Sequence, residues 1–387
     1  MKLNKNIIVG FVVILLFSTL VYYNIQQVQR NNYEEIKDYN TYGYINTDFP
    51  NNYIKKNKRE VLVEIPKVYE LYNIVTAISK SGQSGEISLN KYTDYYTEVM
   101  NYFGEYSDHP AVKKYEELRK EYSYSHMRLI FSYDMDENQI LDSNIYRYEN
   151  NNKDTIEFLN LLEDFAKKSN FDNFYNIHKE YYQKNVENFK NITDLKSIWS
   201  WLENNFPDNY HSYKVILSPL VYGSHNTASF YDKEDKFHEM VMFVSTVEIF
   251  RVSDEEYKKL QKALVERMVF TEIDHNYVNP ITDKDENKKL IAERFSNLDD
   301  WNQQDSYDNS LLTFNEYMTW SVACIYTYEN YDQETYNEFF KYTVNTMNVR
   351  GFIKFEEFHK KLLELYKSSD EPIYELYPDI LDNAQDI

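Results

Sequence analysis

The sequence predicts an α+β fold that is mainly helical. Apolar residues recur at helical spacing through most of the chain from residue 61 onward, whereas strand-like runs are confined to 61–65, 213–217 and 239–244. Hydrophobic residues make up 42% of the chain, so a sizeable core can be buried. A length of 387 residues is typical of two or three domains.

The composition excludes several classes of protein. Lys and Arg number 42 against 63 Asp and Glu, and the resulting charge of -21 argues against nucleic acid as a partner, because phosphates are held by clustered basic side chains. Cys324 is the single cysteine, so an internal disulfide and a multi-thiolate zinc site are excluded. Only seven glycines are present and no phosphate-binding glycine motif occurs.

The N-terminal segment has the pattern of an export signal. Lys2 and Lys5 precede an apolar run at 7–23, with no obvious cleavage site after it. We expect residues 1–23 to be a signal anchor that tethers the protein to the cell membrane, with the bulk extracytoplasmic; cleavage would instead give a secreted protein. Residues 24–60 lack sustained periodicity and read as a polar linker.

The body of the chain divides into two predicted parts. In 61–198, the strand-like run 61–65 is closed by Pro66, and helical patterns follow at 68–75, 91–106, 111–125 and 155–190. This part is the predicted helical N-terminal subdomain.

In the second predicted part, 199–370, two strands at 213–217 and 239–244 are joined by a loop that contains His225. Ser253 begins a capping box, and the helix that follows is expected to continue to about His275 and to end before Pro280. Further helices are predicted at 309–328 and on both sides of Gly351, before an acidic tail at 371–387.

The predicted chemistry lies on the helix that ends near His275. Glu272 and His275 are three positions apart and therefore share a helical face. Two strands, this helix and then a second helix bearing Glu316 form the element order of a thermolysin-like zinc peptidase, whose first helix carries HExxH and whose second supplies a glutamate ligand. Position 271, where HExxH has its first histidine, holds threonine, which is a weak zinc ligand.

Two arrangements could complete a zinc site of three ligands. His225 could replace the missing imidazole, which would leave Glu272 as the general base beside the ligands His275 and Glu316. Alternatively, Glu272 could itself be a ligand together with His275 and Glu316. The sequence leaves both arrangements open.

Several segments resemble a bacterial extracytoplasmic family known as domain of unknown function 4932. They are EIPKVYEL at 64–71, VMNYF at 99–103 with DHPAV at 108–112, LSPL at 217–220 and HNYVNP at 275–280, and the similarity extends to about residue 330. Members of this family resemble zinc-dependent peptidases with an HExxH helix and a Phe/Tyr-x-Asn-Pro tail. The resemblance implies a zincin-like domain over 199–370, Glu272 as base, and substrate contacts by Asn276, Tyr277 and Asn279.

These observations favour a membrane-tethered zinc peptidase in which Glu272 activates a metal-bound water and a peptide or protein is the substrate. Strand 239–244 would pair with an extended peptide by edge addition. A catalytically inactive relative that binds a peptide or envelope partner is the alternative. A surface module that uses its tyrosine-rich helices for contact is a third interpretation.

Overall fold

The computed structural model describes residues 44–122, 127–146, 153–232, 234, 237–250, 258–304, 307–384 and 387. Within these ranges the chain is mainly helical with one larger sheet, which confirms the predicted α+β class. The predicted anchor at 7–23 and the capping box at Ser253 lie outside the described residues. Among the helices that are described, none is both long enough and apolar enough to cross a membrane.

Two compact units make up the described chain. The first, here called the sheet unit, contains residues 44–203 and 207–276; the second, the helical unit, contains residues 204–206 and 277–387. The boundary falls inside one continuous helix, Lys258–Thr282, here called the long helix. It does not coincide with the predicted boundary near residue 199.

Helices account for most of both units. The α-helices up to the long helix are Asn51–Asn57, Lys67–Ile78, Lys80–Ser84, Asp94–Phe103, Pro110–Glu121, Lys153–Ser169, Phe171–Ile177, Lys179–Ile192 and Leu195–Asn205. After it come Asp285–Arg294, Ser310–Asn330, Gln333–Val349, Phe355–Ser368 and Tyr377–Asn383.

A five-stranded mixed sheet forms the centre of the sheet unit. Its strands are β1 (Tyr44–Thr47), β2 (Glu60–Glu64), β5 (Ser212–Ser218), β6 (Asn226–Asp232) and β7 (His238–Ser245), in the spatial order β1-β6-β7-β5-β2. β2, β5 and β7 are parallel, β6 runs antiparallel to β7, and β1 runs parallel to β6. A separate hairpin joins β3 (Asp134–Asp136) to β4 (Gln139–Leu141).

Side chains from other elements pack on both faces of this sheet. On one face, the rings of Tyr69 and Phe131 lie 5.6 and 5.1 Å from the ring of Phe243. On the other face, Trp199 stacks on Tyr213 with the ring centroids 4.1 Å apart. Every residue of β5 is buried, and a strand covered on both faces reads as a continuous apolar run, without the alternation of a half-exposed strand.

The helical unit is held by an aromatic core. Phe295 stacks on Trp301 at 4.0 Å, and Tyr317 contacts Trp301 edge-on while its hydroxyl donates to the Trp301 carbonyl at 2.7 Å. The predicted acidic tail belongs to this unit, because Ile380 and Leu381 of the helix Tyr377–Asn383 are buried.

Several predicted elements differ in the structure. The single helix expected at 155–190 is three helices, since Asn170 adopts a left-handed conformation with φ 53° and interrupts the helical backbone. The expected loop at 218–238 contains a whole strand, β6. The expected linker contains β1 and a short helix. The prediction that an extended peptide pairs with strand 239–244 by edge addition is wrong, because β7 has a neighbouring strand on each side.

Candidate functional site

The predicted catalytic residues lie within the long helix. Glu272 is 9% exposed and His275 is half-buried, and both belong to the sheet unit. Thr271, at the position of the missing histidine, is buried, and its hydroxyl donates to the carbonyl of Arg267 at 3.2 Å. A threonine in a helix commonly makes this bond to the preceding turn, so the side chain serves the helix backbone.

Asn276, which was predicted to bind substrate, links the long helix to β6 by hydrogen bonds. Its Oδ1 accepts from the Ser229 hydroxyl at 2.6 Å, and its Nδ2 donates to Thr227 Oγ1 at 2.9 Å. The same amide nitrogen also reaches the carbonyls of Glu272 and Ile273. The side chain is 3% exposed, so its polar atoms are used in positioning the helix.

His225 lies just before β6, at the end of the sheet where β7 finishes. Its Nε2 is hydrogen-bonded to Ser245 Oγ at 2.9 Å, and Ser245 is fully buried. The side chain is half-buried. This placement follows from the antiparallel pairing of β6 with β7, which brings the start of one strand beside the end of the other.

Glu316 lies in the helical unit and forms an ion pair with Arg350. Arg350 Nη2 is 2.7 Å from Glu316 Oε2, and the same nitrogen donates to the Tyr307 hydroxyl. The guanidinium also lies 4.7 Å from the ring centre of Trp320. Arg350 comes from the end of the helix Gln333–Val349, which the sequence reasoning did not connect with Glu316.

Tyr277 and Asn279, the other predicted substrate contacts, belong to the helical unit and are buried. The ring of Tyr277 packs 6.0 Å from that of Phe206. The carbonyl of Asn279 accepts from the Asp283 amide at 2.8 Å as the long helix ends.

The described residues contain no set of donors arranged as a zinc shell. Structural and catalytic zinc sites use three or four side-chain ligands close to one point. Across the ranges that the structure describes, no group of three or more His, Cys, Asp and Glu side chains is placed to hold a metal ion. The hydroxyl of Thr271, the imidazole of His225 and the carboxylate of Glu316 each bond to other groups of the protein.

A cavity of about 260 Å³ lies in the sheet unit beside Asn276. Two of its residues touch that asparagine, since Ser229 binds the side chain and the Tyr210 hydroxyl donates to the backbone carbonyl at 3.0 Å. The lining combines aromatic and polar groups: Asp208, Asn209, Tyr210, Ser229, Phe230, Tyr231 and His238. We name it the Tyr210 cavity.

Sequence reasoning missed the Tyr210 cavity, although one signal was present. His211 lies two residues before one predicted strand and His238 immediately before the other, and parallel pairing of those strands makes the histidines neighbours. In the structure the His211 amide donates to the His238 carbonyl at 2.8 Å, and the rings lie 5.6 Å apart. The orientation of the two strands was the missing information.

Comparison of the chain with protein-family models, with curated proteins and with solved structures gave no match.

Proposed function

We propose that this chain is a peptidase-like protein that binds an extended polypeptide without cleaving it by zinc chemistry. The observation that carries the proposal is that two predicted zinc ligands, His225 and Glu316, and Thr271 at the position of the missing histidine each bond to other groups of the protein. Thr271 bonds to its own helix, Glu316 to Arg350 and His225 to Ser245. A side chain must give up these bonds before it can coordinate zinc, which weakens metal binding, whereas a peptide-binding role does not require this loss.

The Tyr210 cavity is the proposed binding site. Its volume of about 260 Å³ suits one or two side chains of a polypeptide. Tyr231 and His238 face each other across β6 and β7 with their rings 5.5 Å apart, and they provide amphipathic contact area. Asp208 and Asn209 add polar groups that can bond to a peptide backbone.

A binding experiment with an unfolded polypeptide tests this proposal. Fluorescently labelled, reduced and carboxymethylated casein is titrated with residues 44–387 in the presence and absence of a chelator. We expect saturable binding that the chelator does not change and that Tyr231→Ala weakens about tenfold. Tyr342→Ala, which truncates a tyrosine that is 43% exposed in the helical unit, is the matched control. Absence of binding, or equal loss in both variants, contradicts the proposed site.

Zinc-dependent hydrolysis of peptide bonds, with Glu272 as general base, is the second candidate function. It is favoured by the position of Glu272 and His275 one turn apart on the long helix. Calorimetric titration with zinc of the wild type, Thr271→His and His225→Ala separates the two candidates. Zinc binding by the wild type that His225→Ala abolishes supports the enzyme. Binding that arises only in Thr271→His supports the non-catalytic protein.

We further propose that residues 7–23 tether the protein to the membrane, as the apolar run with preceding lysines predicts. The full chain should then stay in the membrane pellet after a high-salt wash, since salt does not screen hydrophobic insertion. Recovery of soluble protein with a new N-terminus beyond residue 23 would instead show cleavage.

A further inference from the structure

The end of the sheet opposite the Tyr210 cavity collects buried polar residues. Because β2, β5 and β7 are parallel, their carboxyl ends lie along one edge, and antiparallel β6 begins at that edge. In open α/β sheets, ligands bind in the crevice outside the carboxyl ends of the strands. This edge is therefore the place where the fold favours a small-molecule site.

Glu70 lies in the helix Lys67–Ile78, which follows β2 and Pro66, and is fully buried at this edge. Its Oε1 accepts from the Tyr95 hydroxyl at 2.7 Å, and Tyr95 in turn bonds to Tyr182. Ser218, the last residue of β5, lies near the carboxylate and acts to lower its pKa. Ser218 is the register partner of Ser245 at the end of β7, so Glu70 is connected to the middle of the sheet edge.

Four buried polar atoms at this edge have no hydrogen-bond partner among the described residues: Glu70 Oε2, Asn90 Nδ2, Asn226 Nδ2 and Thr246 Oγ1. The amide of Asn90 donates to the Leu220 carbonyl just beyond β5, and Thr246 directly follows β7. Asn226 begins β6, and its orientation is fixed because Oδ1 accepts from Arg128. Buried polar atoms are seldom left without a partner in native proteins, so these four atoms are available to bond to a ligand.

We propose that these four residues, here called the carboxyl-end cluster, bind a free α-amino acid. The cluster offers a carboxylate oxygen on the β2 and β5 side and a side-chain amide N–H on β6. An α-amino acid has the complementary groups, since its ammonium donates to a carboxylate and its carboxylate accepts from amides and a hydroxyl. Adjacent strands are about 4.8 Å apart, so β5 to β6 spans about 10 Å, the reach of a small zwitterion with its hydrogen bonds. The inference does not depend on the polypeptide-binding role.

Calorimetry with each proteinogenic L-amino acid at millimolar concentration tests the proposal on the full chain. We expect one or a few amino acids to bind, and Glu70→Gln and Thr246→Val each to weaken that binding about tenfold, because an acceptor charge or a hydroxyl is lost with little change of shape. Thr47→Val is the matched control. Thr47 is also fully buried, and its hydroxyl has no partner among the described residues. It ends β1, however, and lies beside the end of β6, whereas the carboxyl-end cluster lies where β6 begins.

The outcomes decide the matter in either direction. Binding that is weakened by Glu70→Gln and Thr246→Val and unchanged by Thr47→Val supports the site. Failure of every amino acid to bind, or binding that all three variants leave intact, overturns it. If a cluster variant does not fold, a crystal structure of the wild type grown with the amino acids replaces it. Density for an amino acid carboxylate near Asn226 then supports the proposal, and water molecules alone overturn it.

Discussion

The Tyr210 hydroxyl donates a 3.0 Å hydrogen bond to the carbonyl oxygen of Asn276. That carbonyl is the acceptor four residues before Pro280, which lies inside the long helix and has no amide hydrogen to offer it. Tyr210 thus replaces the missing helical hydrogen bond, and the helix continues to Thr282. The same tyrosine lines the Tyr210 cavity, so the position of the helix and the shape of the cavity are linked.

Removal of the Tyr210 hydroxyl should therefore destabilise the protein. We expect Tyr210→Phe to lower the free energy of unfolding by about 1–2 kcal/mol, because the buried carbonyl of Asn276 loses its donor. In a Pro280→Ala background the restored amide can take over this role, and the loss should fall to a few tenths of a kcal/mol. Urea denaturation of the four proteins measures the coupling. Equal losses in both backgrounds would show that the hydroxyl does not substitute for the proline.

The ion pair of Glu316 and Arg350 gives a second prediction. The Glu316 side chain is 11% exposed, so Arg350→Ala leaves a largely buried carboxylate without its cation and should cost about 3 kcal/mol. Adding Glu316→Gln should recover part of that loss, since the unpaired charge is removed. Glu356→Gln is the control, because its pair with Lys360 is exposed and should contribute less than about 0.5 kcal/mol. A loss for Arg350→Ala no larger than the control contradicts the structural role of the pair.

The fold class could be predicted from the sequence because helical periodicity and the strand runs at 61–65, 213–217 and 239–244 are local signals. β6 was missed because it is half-exposed, with Ser and Asn among its residues, and lacks a strong apolar pattern. The end of the long helix was misplaced because the compensation for Pro280 comes from Tyr210, distant in sequence. For the same reason the partner of Glu316 could not be foreseen: Arg350 lies 34 positions away.

Glu70 should make the stability of the protein fall as the pH rises. Burial raises the pKa of its carboxyl from 4.5 to about 7, with Tyr95, Ser218 and His178 acting against the shift. The folded state binds the proton more tightly, so the stabilisation is complete below pH 4.5 and is lost as the pH passes through about 7. Relative to the wild type, Glu70→Gln should gain about 3 kcal/mol between pH 4.5 and 8. Thermal melts across this range measure the gain, and Glu117→Gln, at an exposed position, should show none.

His359 should produce the opposite dependence at lower pH. Burial, and then the charge of Lys360, lowers the pKa of its imidazole from 6.5 to about 3. Its Nε2 is hydrogen-bonded to the Tyr336 hydroxyl at 3.1 Å. Since the folded state binds the proton less tightly, the stabilisation is complete above pH 6.5 and is lost as the pH falls towards 3.

The variant His359→Gln keeps a side chain that can form a hydrogen bond with Tyr336 but does not titrate. Between pH 6.5 and 4.5 its free energy of unfolding should rise by about 2–3 kcal/mol relative to that of the wild type, while Glu70 changes both proteins equally. Denaturation by urea at a series of pH values measures the difference. A difference that does not vary with pH would mean that His359 is accessible to protons in the folded protein, and the packing around Phe340 and Phe355 would then have to be looser than their ring contacts with His359 indicate.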